Sequence, residues 1–467
     1  MAIKNITYDS RQVLPGYCFV AIRGEHADGH DYIESAVKNG AAVIVSDHPV
    51  SVPENVKNII VKDTCVELAR ASAELFGNPS KKMRVIAVTG TNGKTTATYI
   101  IESVLKNAGR KVGVIGTIEW RYGDKKLPAP NTTPMALDLQ KLLFEMHEAG
   151  VEDVVMEVSS HALDQDRVKF VDFDCGVFTN LTHDHLDYHQ DVDSYFNAKE
   201  KLFSEFLRES VKRDKFAVIN IDDEFGRKIR TEAKKISYGM SGAVDVGLLH
   251  LNPTIQGNDI KIKTPWGELD CKSRLRGRFN VSNILSCVAA LGALGVPLKT
   301  IEQGIDGLSC VPGRLEDVEN DKGITVFVDY AHTPDALQNV LLTIKEISNG
   351  KIITVFGCGG DRDRAKRPLM GDVAARYSDI AIVTSDNPRS EDPESIIREI
   401  VEGVKDRKKL LIEADRKKAI AKALSEASKG DVVLIAGKGH ENYQIAGKEV
   451  RHFDDKEEAT RLLGGSS

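Results

Sequence analysis

A short phosphate-binding loop is the most specific chemical signal in this sequence. The segment GTNGKTT (residues 90–96) follows a β-like run and opens a helical pattern, the context that such a loop requires. Its glycines let backbone N–H groups approach phosphate, while Lys94 is placed to reach the outer phosphates and Thr95 to hold magnesium. The spacing GxxGKT is shorter than GxxxxGK[ST], so a plain glycine-rich turn is the alternative.

Two further segments offer metal ligands. Glu157 ends an apolar run, where a carboxylate is either a ligand or a satisfied strand-end cap. The segment THDHLDYH (182–189) resembles a zinc site at first sight, but it contains no cysteine and accompanies a nucleotide loop. We therefore favour magnesium that bridges phosphates, for which one histidine and one carboxylate suffice. The candidate ligands in this segment are His183, Asp184, His185, Asp187 and His189.

Lys199 is predicted to point into the protein. Its neighbours at i−4, i−3, i+3 and i+4 of a helical pattern are all apolar: Tyr195, Phe196, Leu202 and Phe203. A buried ammonium is costly unless it is paired, neutralised or chemically modified. The alternative is a lysine that extends along the helix to water.

Arginine clusters follow two apolar runs near the C-terminus. GDRDRAKRP (360–368) and DNPR (386–389) place Arg362, Arg364 and Arg389 after predicted strands. Such charges are often simply solvated, but the guanidinium fork suits a carboxylate bidentately. We interpret the two clusters as a carboxylate-recognition site.

These segments share one position relative to the predicted secondary structure. Short runs rich in Val and Ile alternate with helical patterns, which is typical of parallel βαβ sheets. Ligands bind outside the carboxyl ends of such strands. Seven polar clusters in that position predict two sheets whose binding edges face a shared cleft. The runs are 84–88, 153–156, 175–178, 325–328, 352–356, 380–383 and 432–436.

The chain has 467 residues, which favours about three domains. Residues 1–79 form a small α/β pattern, a polar segment at 76–84 separates it from the nucleotide loop, and a second boundary falls near 309–314. We predict three α/β domains: a small N-terminal domain (1–82), a central P-loop-type domain with a mostly parallel sheet (83–311) and a Rossmann-like C-terminal domain (312–467).

Composition excludes several classes of protein. The net charge is −6 and no sustained Lys/Arg block is present, so no nucleic-acid footprint is found. No apolar run approaches the ~18 residues of a membrane span, and the first residues lack a signal-peptide core. We expect a cytoplasmic protein. Seven scattered cysteines without a CxxC pair are interpreted as reduced packing residues.

The motifs together resemble those of the Mur ligase family of ATP-dependent amide-bond ligases, and the resemblance covers essentially the whole chain. It is carried by DSRQV (9–13), GEHADGH (24–30), GTNGKTT (90–96), NTTP (131–134), MEVSSHAL (156–163), FTNLTHDHLDYH (178–189), YFNAKEKLF (195–203), GRFNVSN (277–283), PGRLE (312–316), DYAHTPDAL (329–337), GGDRDRAKRP (359–368), DNPR (386–389) and GKGHE (437–441).

The resemblance implies a role for each domain. The first would hold the uridine end of a nucleotide sugar, the second ATP and magnesium, and the third an incoming amino acid. The implied ATP contacts are Gly90, Thr91, Asn92, Gly93, Lys94, Thr95, Thr96, Asn283, Arg314, Asp329 and His332. The implied contacts to UDP-N-acetylmuramoyl-L-alanyl-D-glutamate are Ser10, Asn131, Thr132, Thr133, Ser159, Gln165 and Arg167.

The resemblance also implies a catalytic group: Lys94, Glu157, His185 and Lys199. Magnesium would be held by Thr95, Glu157, His185 and Lys199, the last as a CO2-derived carbamate (N6-carboxylysine). The third domain would bind meso-diaminopimelate through Arg362, Asp386, Asn387, Pro388, Arg389, Gly437 and Glu441. Lysine-adding relatives generally lack an arginine at the place of Arg389.

The implied reaction is stepwise and serves peptidoglycan synthesis. A carboxylate of the dipeptide attacks the γ-phosphate of ATP, and the amine of the third amino acid then displaces phosphate from the acyl phosphate. Positioning and charge neutralisation supply much of the catalysis. The alternatives are a lysine-adding homologue, a folylpolyglutamate synthetase, and a P-loop kinase or nucleotide switch. We expect a monomer with no membrane insertion.

Overall fold

The structure is a computed structural model that describes residues 5–24, 27–182 and 184–464. Glu25 and His26 of the GEHADGH motif, the candidate ligand His183 and the side chain of the candidate ligand Asp187 lie outside what it describes.

The N-terminal sheet has four parallel strands in the order β1-β2-β3-β4. Its strands are β1 (Ile6–Thr7), β2 (Cys18–Val20), β3 (Val43–Ser46) and β4 (Lys57–Ile60), and its helices are α1 (Ile33–Lys38) and α2 (Thr64–Leu75). Asp63 caps α2 by accepting hydrogen bonds from two backbone N–H groups. The α/β pattern predicted for this segment is confirmed.

The central sheet has eleven strands in the order β15-β14-β13-β12-β11-β10-β5-β9-β6-β7-β8. They are β5 (Arg84–Thr89), β6 (Val112–Ile115), β7 (Glu119–Tyr122), β8 (Lys125–Pro128), β9 (Asp153–Glu157), β10 (Cys175–Phe178), β11 (Phe216–Asn220), β12 (Lys234–Gly239), β13 (Val246–Thr254), β14 (Gly257–Thr264) and β15 (Gly267–Ser273). The helices are α3 (Lys94–Asn107), α4 (Ala136–Glu148), α5 (Ser160–Asp164), α6 (Leu186–His189), α7 (Val192–Lys201), α8 (Leu207–Glu209), α9 (Glu224–Lys228), α10 (Arg278–Ala293) and α11 (Leu298–Asp306).

The middle of this sheet is parallel, as predicted, and its two edges are antiparallel. Strands β6, β7 and β8 pair antiparallel at one edge, and β13, β14 and β15 do so at the other. Neither extension was predicted, although the alternation in residues 259–273 around the turn at Pro265 and Gly267 is a readable hairpin signal. Two apolar clusters cover the two faces of the sheet, so the parallel strands are buried on both sides.

The C-terminal sheet has six strands in the order β16-β17-β21-β18-β19-β20, parallel except at the β16 edge. They are β16 (Glu316–Asp317), β17 (Thr325–Asp329), β18 (Ile352–Phe356), β19 (Ile380–Val383), β20 (Leu410–Ile412) and β21 (Val432–Ala436), followed by a separate hairpin of β22 (Tyr443–Ala446) and β23 (Glu449–His452). The helices are α12 (Pro334–Ile347), α13 (Lys366–Tyr377), α14 (Pro393–Glu402), α15 (Arg416–Glu426) and α16 (Asp455–Leu463). Both faces of this sheet are also buried.

A fully buried ion pair fixes the end of the central strand of this sheet. The side chains of Arg416 and Asp455 have no exposed surface, and Arg416 also donates to the carbonyl of Ala436, the last residue of β21. An unpaired charge at this depth would cost several kcal/mol. The pair therefore holds α15, α16 and β21 together just before the GKGHE motif.

Six of the seven cysteines are at least partly buried and all are free thiols, in agreement with the sequence interpretation. Cys310 is exposed, which corrects its assignment as a packing residue. Within the described residues, no helix is long and apolar enough to cross a membrane.

Candidate functional site

The phosphate-loop segment joins β5 to the start of α3, as predicted. Gly90 and Gly93 have φ values of 146° and 90°, in the region that favours glycine. A Cβ atom on Gly90 would lie 1.9 Å from Thr179 Oγ1, and one on Gly93 would lie 2.2 Å from Asn283 Oδ1. Both glycines are therefore required by backbone conformation and by close approach. Asn283, from α10, lies directly beside the loop.

Replacing Gly93 with alanine should weaken nucleotide binding, because the new methyl group would displace Asn283 from the loop. Gly109 is a matched control: it also has a positive φ of 74°, but a Cβ there would meet nothing within 4 Å. Both changes carry the strain of a positive φ, of order 1–3 kcal/mol. Only Gly93→Ala would also displace Asn283. Calorimetric titration with ADP should show weaker binding for Gly93→Ala alone; equal affinities would contradict this.

Lys94 closes back over its own loop. Its Nζ donates to the carbonyls of Gly90, at 2.9 Å, and Thr91, at 2.8 Å. Burial lowers the pKa of Lys94, while the carboxylate of Glu157 opposes that shift. The lysine thus directs its charge at two carbonyl oxygens of its own loop. Oxygens of a bound phosphate would replace these carbonyls as its acceptors.

Thr95 and Glu157 lie in direct contact. Thr95 Oγ1 donates to Glu157 Oε1 at 3.0 Å, and Thr117 donates to both oxygens of the same carboxylate. The Glu157 side chain is only 1% exposed. The alternative that Glu157 is a satisfied carboxylate at the end of a strand is therefore partly correct, because Thr117 binds both of its oxygens. The same carboxylate also contacts the phosphate loop through Thr95. Thr117 was not identified from the sequence.

Lys199 is buried, as predicted from the apolar spacing. It is 1% exposed, its Nζ donates to the carbonyl of Gly90 at 3.0 Å, and it lies 4.5 Å from the centre of the Tyr195 ring. Burial, with a further contribution from the charge of Lys94, lowers the pKa of Lys199 well below its ordinary value. The amine therefore has a strong tendency to be neutral, and it lies against the phosphate loop.

Asp184 and His185 complete this part of the site. His185 has a positive φ of 55° and its ring lies 5.0 Å from that of His161. Burial lowers the pKa of His185, and the neighbouring His161 and Lys199 lower it further. The pKa of Asp184 is also lowered, against the effect of its burial, first by the neighbouring His185 and then by His332 and Lys366 of the C-terminal sheet domain. Nothing in the sequence distinguished Asp184 from the other candidate metal ligands of residues 182–189.

Residues of the C-terminal part reach the phosphate loop. Arg314 Nη2 donates to Thr95 Oγ1 at 3.3 Å, and Asn92 Nδ2 donates to Asp335 Oδ2 at 3.2 Å. Arg314 Nε is buried and has no hydrogen-bond partner within the described residues. An unsatisfied guanidinium donor beside a phosphate loop suits an anionic ligand.

The other implied nucleotide contacts have structural partners. Both oxygens of Asp329 accept backbone N–H groups, from Leu315 at 2.7 Å and Ala331 at 2.8 Å, so this carboxylate shapes the loop that carries Arg314. His332 contacts the carbonyl of Tyr330 through Nδ1, and burial lowers its pKa to about 4. Thr96 is buried at the start of α3.

The residues implied in nucleotide-sugar binding form a cluster next to Glu157. Thr133 Oγ1 donates to the carbonyl of Glu157 at 2.9 Å and accepts from the backbone of Ser159. Arg167 donates to Gln165 and to the carbonyl of Thr133. Thr132 contacts Thr117 and Asn131 is exposed. Ser10 lies apart, in the N-terminal 3-10 helix Ser10–Gln12.

The N-terminal domain contacts this cluster through Tyr8. Its hydroxyl donates to Asp138 of α4 at 2.6 Å, and Arg167 lies close enough to affect the pKa of Tyr8. Ser10 is two residues along the chain. The candidate nucleotide-sugar residues therefore line neighbouring parts of two domains.

The third group forms a cluster of side chains at the carboxyl ends of β18, β19 and β21. Asn387 Nδ2 donates to Glu441 Oε2 at 2.8 Å, and Arg389 Nη1 donates to the carbonyl of Gly360 at 2.8 Å. Arg362 is exposed on the other side of Gly359, where a Cβ would lie 2.8 Å from Arg389 Nη1 and 3.8 Å from the Arg362 side chain. The remaining members are Asp386, Pro388 and Gly437, all buried.

Lys438 is a member of this cluster that the sequence did not reveal. Its side chain has no exposed surface, and its Nζ donates to Asn387 Oδ1 and Glu441 Oε2, each at 3.2 Å. Burial, and next the charge of Asp386, raises the pKa of Glu441, and Lys438 opposes that shift. Lys438 thus ties the DNPR and GKGHE segments together.

A set of contacts connects this cluster to the phosphate loop. The guanidinium of Arg314 lies 4.7 Å from the centre of the Tyr330 ring, and that ring lies 4.9 Å from His440, which precedes Glu441. Arg314 itself donates to Thr95. The two groups of candidate residues are therefore linked through Arg314, and the shared cleft stays a prediction.

Comparisons with known proteins identify the class. The descriptions "Mur ligase family, catalytic domain", "Mur ligase middle domain" and "Mur ligase, glutamate ligase domain" match residues 2–80, 88–291 and 313–439. A protein of Geobacter metallireducens is 49% identical, with 98% of this chain and 93% of that protein covered. One of Geobacillus thermodenitrificans is 47% identical, with 97% and 93% covered. The chain belongs to the Mur ligase family.

Both relatives carry the name UDP-N-acetylmuramoyl-L-alanyl-D-glutamate--2,6-diaminopimelate ligase. A solved structure with this name is 32% identical, covers 99% of this chain and 95% of its own, and has a TM-score of 0.71. The MurF ligase of Thermotoga maritima, solved in complex with ADP, shares the fold at 24% identity and a TM-score of 0.67, with 98% and 96% covered. The predicted α/β architecture and family are confirmed.

Proposed function

We propose that this chain is an ATP-dependent ligase that adds meso-2,6-diaminopimelate to UDP-N-acetylmuramoyl-L-alanyl-D-glutamate during cytoplasmic synthesis of peptidoglycan precursors. The observation that carries the proposal is the chain of contacts through Arg314 that connects a phosphate loop to a cluster of guanidinium and carboxylate groups. A kinase or nucleotide switch would not need that cluster. We expect the chain to act as a monomer.

The residues beside the loop fit a magnesium ion. Thr95 Oγ1 and the Glu157 carboxylate are hard oxygen ligands in mutual contact, and His185 is kept neutral by its lowered pKa. We assign the ion to Thr95, Glu157, His185 and a carbamate on Lys199. When bound, magnesium would neutralise charge on the phosphoryl group.

Lys199 is suited to carbamylation because only a neutral amine attacks CO2. Its lowered pKa favours that form, and its burial protects the product from water. Carbamylation would convert an amine whose charged form Lys94 repels into an anion that Lys94 attracts. This exchange is the physical reason for a second lysine beside the loop.

In the first chemical step, an oxygen of the D-glutamyl γ-carboxylate attacks the γ-phosphorus of ATP. The bond to the β,γ-bridging oxygen breaks, and an acyl phosphate and ADP form. Lys94 stabilises the transferring phosphoryl group, and Arg314 offers a further donor from the C-terminal side. No protein nucleophile takes part.

In the second step, the neutral amine of diaminopimelate attacks the acyl carbon, the bond from that carbon to the phosphate oxygen breaks, and the nitrogen releases a proton to solvent as phosphate leaves. Orientation of the amine follows from its distant amino-carboxylate end, which we place against Arg389 and Arg362, with Asn387 and Glu441 binding the distant ammonium. Lysine lacks the distant carboxylate, so Arg389 would be left without its partner.

The test offers the purified protein ATP, the UDP-linked dipeptide, and diaminopimelate, L-lysine or L-ornithine in separate reactions. The expected result is a UDP-linked tripeptide with diaminopimelate, identified by mass, together with phosphate release that requires both the dipeptide and the amino acid. Preference for lysine would support the lysine-adding alternative. A phosphorylated product without an amino acid would support a kinase.

Removal of CO2 should lower activity reversibly if Lys199 is carbamylated. Acidification should act in the same direction, because protonation of the amine, whose pKa is lowered, removes the reactive form and the carbamate itself is acid-labile. Activity should therefore be lost as pH falls and be restored by bicarbonate at neutral pH. Carbon-13 NMR with labelled bicarbonate should show a carbamate signal; no signal, with activity unaffected by CO2, would refute the assignment.

A further inference from the structure

A cluster of two histidines and an aspartate lies in the N-terminal domain, away from the phosphate loop. His30 belongs to the 3-10 helix Gly29–Tyr32, and Asp47 and His48 directly follow β3. One possible ligand atom from each of the three lies within 4.8 Å of the others. Two imidazole nitrogens and a carboxylate oxygen are the ligand types that zinc prefers.

The protonation of His30 leaves a lone pair directed at this cluster. Its Nδ1 lies 2.6 Å from Asp28 Oδ1 and donates to that carboxylate, so Nε2 of the neutral ring is an acceptor. The His30 side chain is only 8% exposed, and Nε2 has no hydrogen-bond partner within the described residues. It lies 3.2 Å from Asp47 Oδ1, which is also an acceptor. Asp47 is 25% exposed, but two acceptors at this distance still require a proton or a metal cation between them.

The surrounding contacts hold the three candidate ligands in place. Ser46 Oγ donates to the carbonyl of His48 at 2.8 Å, and the rings of His30 and His48 are stacked with centroids 4.7 Å apart. Asp47 Oδ1 lies 2.5 Å from His48 Nδ1 and 3.2 Å from His30 Nε2, and Arg23 Nη2 contacts both oxygens of this carboxylate. Asp28 behind His30 forms the carboxylate-histidine arrangement that orients metal-binding rings.

We propose that His30, Asp47 and His48 bind one Zn²⁺ ion, with water in the fourth position and Asp28 orienting His30. The site is independent of the magnesium assigned beside the phosphate loop, because it lies in another domain and shares no ligand with it. It also does not depend on the reaction proposed above.

The test is calorimetric titration of the full chain with Zn²⁺ after treatment with chelator, in excess Mg²⁺ so that hard oxygen sites are filled. We expect one equivalent of zinc to bind and this equivalent to be lost in His30→Ala. Asp28→Asn should retain it with an affinity lower by about 10- to 100-fold. His250→Ala, which removes an exposed histidine of β13, should bind zinc as the unaltered chain does.

Three results would overturn the proposal: no saturable zinc binding by the unaltered chain, unchanged binding in His30→Ala, or loss of the equivalent in Cys310→Ser, which would place the ion on the exposed thiol. If His30→Ala fails to fold, NMR of the unaltered chain decides. A proton that stays on His30 Nε2 in the presence of Zn²⁺ would show that an imidazolium, rather than a metal ion, bridges the two acceptors.

Discussion

Replacement of Lys199 with alanine should lower kcat by about 10²- to 10³-fold, the loss typical of one preorganised electrostatic group. The expected cause is the loss of the carbamate that helps to hold magnesium, since the amine itself lies against the carbonyl of Gly90 and cannot serve as a ligand while protonated. Addition of a short-chain carboxylate such as acetate should restore part of the activity of the variant. Steady-state rates of phosphate release measure both effects.

Lys201 supplies the control for this experiment. It lies two residues further along α7, is 33% exposed and contacts Asp164 at the surface. Lys201→Ala should change kcat little, because exposed ion pairs contribute little. If Lys199→Ala retained full activity, or if acetate stimulated both variants equally, the carbamate assignment would be wrong.

Replacement of Arg389 with alanine should lower kcat/KM for diaminopimelate by about 10²- to 10⁴-fold while leaving the affinity for ATP nearly unchanged. The loss corresponds to two charge-assisted hydrogen bonds, each worth roughly 1.5–3 kcal/mol when made to a charged group. The ratio of kcat/KM for diaminopimelate to kcat/KM for lysine should fall at the same time, because the distant carboxylate of diaminopimelate would have lost its partner.

Arg398 on α14 is the matched control for Arg389. Its side chain is 65% exposed and its ion pairs, to Asp392 and Glu394, are 3.5 and 4.0 Å long. Arg398→Ala should leave both substrates unaffected. Equal losses of diaminopimelate and ATP affinity in Arg389→Ala would indicate a structural defect and would contradict the assignment of Arg389 to substrate recognition.

The parallel strands and the burial of Lys199 could be predicted because each depends on a local pattern. All seven apolar runs that precede polar clusters are strands, and the apolar neighbours of Lys199 at helical spacing are buried with it. Periodicity reports which side of an element faces the core. The division of the chain at residues 82 and 311 stays a prediction.

Contacts between distant segments could not be predicted in the same way. Thr117, which caps Glu157, carries no motif, and Lys438 reads as an ordinary charge between two glycines. Each acquires its role only when two strand ends come together in space. The cap on Glu157 and the tie between Asn387 and Glu441 are therefore tertiary features, invisible to spacing along the chain.

The contact of Arg314 with Thr95 has a consequence for how much ATP is hydrolysed without product. The phosphate loop belongs to the central part of the chain, and the guanidinium of Arg314 belongs to the C-terminal part. The two lie side by side only while these parts of the chain are in contact. A hinge that opened in the absence of an acceptor would withdraw the guanidinium and leave bound ATP intact. Such an assembly protects against wasteful hydrolysis without a dedicated inhibitor.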